Sequence, residues 1–163
     1  MTRRGFLSTL AILNSCVASG QRKEAASKPP KADLPYLLQA GNLIPTEPQP
    51  ISRSGAKGDE TVSVSGVTSP ARTPLPEPIF LFSPGEINAG DLELIRFQIA
   101  NGRRQWKKGQ QSNTDDEPEQ VLRLTLRPSS EGVVRIEAAA MLNPGEYALL
   151  PRAKNTAFCF TVF

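Results

Sequence analysis

Residues 143–163 read NPGEYALLPRAKNTAFCFTVF, and the spacing of their apolar side chains decides the fold class. Two apolar runs, 147–150 and 157–163, flank a polar connection, and Phe158, Phe160 and Val162 recur at every second position. Side chains two apart share a face in extended chain, so the segment predicts a closing β-hairpin. Asn143-Pro144-Gly145-Glu146 ahead of it has the chemistry of a type II turn, with Pro144 presetting the first central φ and Gly145 supplying the positive second. Ser83-Pro84-Gly85-Glu86 repeats that chemistry after the short apolar run Ile79-Phe80-Leu81-Phe82.

Other stretches follow the same period. Leu122, Leu124 and Leu126 alternate with Arg123, Thr125 and Arg127, and Val134 and Ile136 with Arg135 and Glu137, as in half-buried antiparallel strands. Ile95, Phe97 and Ile99 share a face, but Leu92 and Leu94 fall on the other, which predicts a bulge near Leu94. Residues 137–142 could add one helical turn. Val62 and Val64 against Ser63 and Ser65 give a strand with one wet face, and residues 35–44 read as two short strands about Gly41. Residues 47–60 have no periodicity and read as a loop. The fold class is therefore all-β, a small antiparallel sandwich or partly open barrel of about eight strands.

Eleven of the 15 prolines lie between Pro29 and Pro84, which excludes long helices there, because proline lacks the N–H donor and clashes with the preceding turn. The chain opens MTRRGFLSTLAILNSC. Residues 5–13 are apolar but far short of the roughly 20 that span a bilayer as a helix, and Arg3 and Arg4 precede them, as in an export signal. Thr2-Arg3-Arg4-Gly5-Phe6-Leu7 resembles the twin-arginine export motif, carried here by Arg3, Arg4, Phe6 and Leu7, and Leu13-Asn14-Ser15-Cys16 resembles the bacterial lipobox, which implies lipidation of Cys16. The organisation expected is a signal peptide over 1–15, a flexible, disordered tether over 16–33, and a β domain over 34–163 that is strand-dense from 79. Without the leader the formal charge falls from +3 to +1, so basicity argues little for a nucleic-acid partner.

Pro35-Tyr36-Leu37-Leu38, Gly41-Asn42-Leu43-Ile44, Val64-Ser65-Gly66-Val67-Thr68-Ser69-Pro70, Gly102-Arg103-Arg104, Pro144-Gly145-Glu146-Tyr147-Ala148-Leu149 and Phe158-Cys159-Phe160 together resemble a group of uncharacterised bacterial exported proteins. Their domain ends in a PGEYAL turn and an FCF-type strand. The resemblance implies a β-rich exported module and transfers no catalytic residue or ligand.

The chain has no histidine, which removes the commonest general base and zinc ligand, and with it most triads and metalloenzymes. Cys159, among alternating aromatics, reads as a small buried hydrophobe rather than a nucleophile. Glu86, Glu93, Glu137 and Glu146 are the carboxylates open to a rival reading as a periplasmic hydrolase. Residues 113–119 (NTDDEPE) lack the pattern of a calcium loop and read as a solvated hairpin loop, so no metal, cofactor or small-molecule substrate is assigned. Arg103, Arg104, Trp106, Lys107 and Lys108 form the candidate contact loop, cations around one aromatic. They suit lipid head groups or, were the leader not a signal, single-stranded nucleic acid in the cytoplasm. Phe163 closes an alternating strand as in outer-membrane barrels, but these strands are too short to span, so it reads as a core plug. The function expected is a binding or structural module of the bacterial envelope, on the periplasmic side of a membrane or secreted. Its partners are a membrane, through the lipid anchor, and an envelope protein, through a sheet edge or the contact loop.

Overall fold

The structure is a computed structural model that describes residues 28–56, 59–108, 121–129 and 132–163. The leader with Arg3, Arg4, Phe6, Leu7 and Cys16, and the acidic run 115–119, lie outside the described residues.

Strand follows strand: β1 (Tyr36–Gln39), β2 (Asn42–Pro45), β3 (Glu47–Pro50), β4 (Ser52–Ser54), β5 (Thr61–Val64), β6 (Arg72–Thr73), β7 (Ile79–Phe82), β8 (Leu92–Ala100), β9 (Arg103–Lys107), β10 (Val121–Leu122), β11 (Leu124–Pro128), β12 (Val134–Ala138), β13 (Gly145–Pro151) and β14 (Thr156–Val162). A 3-10 turn, Ala89–Asp91, is capped by the Asn88 side chain. The all-β class holds, with more and shorter strands than expected.

Five strands form one sheet in the order β11-β12-β7-β1-β2. The other sheet runs β3-β14-β13-β8-β9-β5-β4, with β10 beside β8 and β6 beside β14. Its two terminal strands, β3 and β4, are consecutive in the chain and joined only by Ile51, whose N–H donates to Asn155 O at 3.2 Å. The sheet thus curls into a nearly closed barrel, and the five-stranded sheet packs on its outside. Sandwich and barrel coexist in one domain.

Two cores follow from the period of two. Leu92 and Leu94 of β8, Tyr147 and Leu149 of β13, and Phe158, Phe160 and Val162 of β14 pack outward against Leu37, Phe80, Phe82 and Ile136. Phe160 meets Phe80 edge-on at 5.0 Å and stacks on Tyr147 at 5.6 Å. The alternate residues, Ile95, Phe97, Ala148, Leu150, Ala157 and Cys159, fill the barrel with Val62, Val64 and Trp106. β8 therefore needs no bulge. Its pairing with β13 is unbroken from Leu92↔Pro151 to Phe97↔Glu146, because apolar residues on both faces are what a strand shared by two cores requires.

Other expectations give way for equally local reasons. The supposed loop 47–60 contains β3 and β4. In β3, Pro48 and Pro50 alternate with Glu47 and Gln49, a spacing that an edge strand beside β14 tolerates, since proline cannot donate to a ladder. Glu137 and Ala138 belong to β12, not to a helical turn. The alternating run Leu122, Leu124, Leu126 crosses between sheets: β10 pairs with β8, and β11 with β12. Phe163 is 57% exposed under the Arg72 guanidinium, so it is no core plug.

Neither Pro-Gly pair makes a type II turn, because neither Gly85 nor Gly145 has positive φ. Gly145 opens β13 opposite Val162. Gly85 lets a carboxylate approach: Asp33 accepts the N–H groups of Gly85, Glu86 and Ile87 at 2.8–2.9 Å, and a Cβ on Gly85 would lie 2.6 Å from Asp33 Oδ2. Asp33, assigned to the tether from sequence, is thus part of the fold. Positive φ occurs instead at Ala40-Gly41 and Asn101-Gly102, the tight hairpins β1–β2 and β8–β9.

Candidate functional site

The barrel has two unlike ends, and the cationic segment Arg103-Arg104-Gln105-Trp106-Lys107-Lys108 runs from one to the other. It is strand β9 rather than a contact loop. Pairing of Val62 with Trp106 and Val64 with Arg104 puts both of these side chains on the barrel's inner face, while Arg103 and Lys107 point to solvent. Arg104 is fully buried and Trp106 is 4% exposed. The cluster that looked like one exposed patch is split by the pleat.

At one end β13 begins, β14 finishes and β9 begins. There Arg104 Nη1 donates to Glu47 Oε2 at 3.0 Å and lies 3.8 Å from Glu146 Oε2, and Nη2 donates to Ser65 O at 2.8 Å. Glu146 in turn accepts from the Thr68 and Thr161 hydroxyls, each at 2.8 Å, and from the Ser69 N–H at 3.0 Å. Gln49 Nε2 holds the other oxygen of Glu47 at 2.7 Å. A guanidinium taken from water is tolerable only when paired and hydrogen-bonded, and here two carboxylates supply the pairing. The network ties β3, β9, β13, β14 and the 65–69 segment together and plugs this end.

The same network bears on Cys159. Burial first, then Glu47 and Glu146, push its thiol up, against the pull of Arg104, to about 12. At neutral pH it is a protonated thiol inside the barrel, without the thiolate that nucleophilic chemistry needs.

At the opposite end β8 begins and β9 and β13 finish. β9 leaves β8 after Gln105↔Gln98, and β10 takes its place along Leu94 and Ile95. The strands splay, and a cavity of about 330 Å³ opens between them, lined by Arg53, Glu93, Trp106, Lys108, Leu150, Pro151 and Arg152. Arg152 Nε donates to Glu93 at 2.9 Å and Arg53 lies 3.5 Å from Glu60. Lys108 has no ion-pair partner among the described residues. Among those residues the buried side-chain nitrogens without a hydrogen-bond partner are Arg104 Nε, in the plug, and Nε1 of Trp106, a residue that lines this mouth.

The carboxylates singled out from sequence do not converge into an acid–base pair. Glu86 is held by Lys154, Glu93 by Arg152 and Glu137 by Arg127 and Arg135, each at a separate place, and Glu146 is in the plug. Pro144 and Gly145 contribute to packing instead: Arg96 Nη2 donates to Pro144 O at 3.1 Å, and its guanidinium lies 5.8 Å over Tyr147. The mouth residues Arg53, Leu150, Pro151 and Arg152 were missed in the sequence, since pairing across four strands brings them together. Comparison of the chain with protein-family models, with curated proteins and with solved structures finds no match.

Proposed function

We propose that this chain is an exported module, lipid-anchored through Cys16 to the bacterial envelope, whose β domain binds a ligand or partner rather than catalysing a reaction. The leader supports export: Arg3-Arg4 precede Phe6-Leu7 and a short apolar run, a lipobox-like cysteine follows, and the chain then turns polar. The observation that carries binding is the asymmetry of the barrel, one end closed by Arg104 and its two carboxylates, the other open and lined by charged side chains. An open barrel mouth over a packed interior is a common place for a small ligand. Acid–base chemistry loses support, because Glu86, Glu93, Glu137 and Glu146 are each held in ion pairs at separate places and the Cys159 thiol is buried. A nucleic-acid surface also loses support, as Trp106 and Arg104 face inward and offer no stacking platform. The open edges of the smaller sheet, β2 and β11, end in Pro45 and Pro128, which blunts pairing with a partner strand.

The test of export and anchoring is the mass of the mature N-terminus from fractionated cells, wild type against Cys16→Ser. An acylated Cys16 in the membrane fraction, lost in the variant, is the expected result. An intact chain beginning at Met1 or Thr2 in the cytoplasm would overturn it.

A further inference from the structure

We infer that the open mouth of the barrel is a pocket for a small organic oxyanion, a carboxylate or a phosphate ester. The inference rests on the reading of the domain as a binder and names its ligand class. Arg53, Lys108 and Arg152 are the cations of the lining and Glu93 its one carboxylate. Arg152 is neutralised by Glu93, and Arg53 leans on Glu60 at 3.5 Å with both side chains about one-third exposed. That leaves the Lys108 ammonium uncompensated among the described residues, so the mouth favours a ligand with one negative charge. Arg53 reinforces it, because an exposed pair at 3.5 Å is weak and exchanges readily for a better acceptor.

Trp106 supplies the second half of the recognition. Its indole, with Leu150 and Pro151, gives the cavity an apolar wall against which the carbon part of a ligand can lie. Its Nε1–H is buried and has no acceptor among the described residues, so the indole meets the cavity through its ring rather than through that group. A volume of about 330 Å³ is at the lower end of small-molecule sites, so the ligand is compact. Recognition is by charge at the rim and by shape in the wall.

The protein reports on itself here, since Trp106 is the one tryptophan of the chain. The probes are benzoate and phenyl phosphate, each a single anionic group on a ring, titrated while the indole N–H resonance is followed by two-dimensional ¹⁵N NMR. Chloride at matched ionic strength is the control. The expected result is a saturable shift of the indole peak with at least one probe, weakened fivefold or more in Arg53→Gln and Lys108→Gln and unchanged in Arg127→Gln on β11. Saturation by benzoate alone assigns a carboxylate, by phenyl phosphate alone a phosphate ester. No saturable shift with either, equal binding by the rim variants, or a shift that chloride reproduces would each overturn the pocket. None of these outcomes touches the mass of the N-terminus, so failure of the pocket and failure of export are distinguishable.

Discussion

Asp33 shows how much one side chain can fix. Partial burial opposes its charge, but the N–H groups of Ile87, Glu86 and Gly85, with the Lys154 ammonium nearby, outweigh that and hold its carboxyl below the ordinary 3.8. A carboxylate with a depressed folded pKa contributes stability that is complete above the unfolded value and is lost as pH falls through the folded one. Asp33→Asn should therefore cost on the order of 0.5–1 kcal/mol at pH 7, solvent screening trimming the effect at this partly exposed site, and the gap to wild type should close on acidification below about pH 4, as read by urea unfolding across pH. Gly85→Ala attacks the same contact from the other side and should cost ~1–2 kcal/mol, because its Cβ would sit 2.6 Å from Asp33 Oδ2. Gly145→Ala should change stability by less than about 1 kcal/mol. There φ is not positive, and the new Cβ meets only the Arg96 guanidinium at 3.3 Å, the far end of a flexible side chain. Thermal melts of the two glycine variants side by side check the contrast.

At the scale of the element, strands were legible wherever one face is apolar. The closing hairpin, β5, β7 and the β1–β2 hairpin follow directly from alternation or turn chemistry. The period misleads in β8, whose two apolar sets looked like a register fault and are two cores. It fails again in β3, where proline alternates with polar residues and mimics a loop. For β9 the signal was present and unread: Arg104, Trp106 and Lys108 are two apart, and the charge of the run concealed the pleat. The physical reason is that a buried arginine requires two carboxylates, and Glu47 and Glu146 are distant in sequence from it and from each other. Arg104→Leu should cost about 3–5 kcal/mol in denaturant unfolding, because it leaves Glu146 buried and Glu47 half-buried without their cation. A loss under 1 kcal/mol would show that the plug is not what closes that end.

The described domain is a nearly closed barrel with a second sheet packed on it, and β8, β13 and β14 contribute side chains to both cores. This arrangement buries both faces of β13 and β14 and much of β8, and leaves the charged groups of the plug and the mouth at the barrel ends. The all-β class was readable because alternation is local. The pairing that makes one end a plug and the other a mouth was not, because β3–β4 closure depends on which strand Ile51 leads back to. The mouth is also the part of the molecule on which a binding role stands or fails. The most direct measurement is quenching of Trp106 fluorescence by iodide against caesium at matched ionic strength. Relative to the same pair of ions acting on free N-acetyltryptophanamide, iodide should gain on caesium at Trp106, and that gain should fall in Lys108→Gln, because the anion is drawn to the cationic rim beside the indole. No gain of iodide over caesium beyond that reference, or a gain unchanged in Lys108→Gln, would contradict a cation-lined mouth.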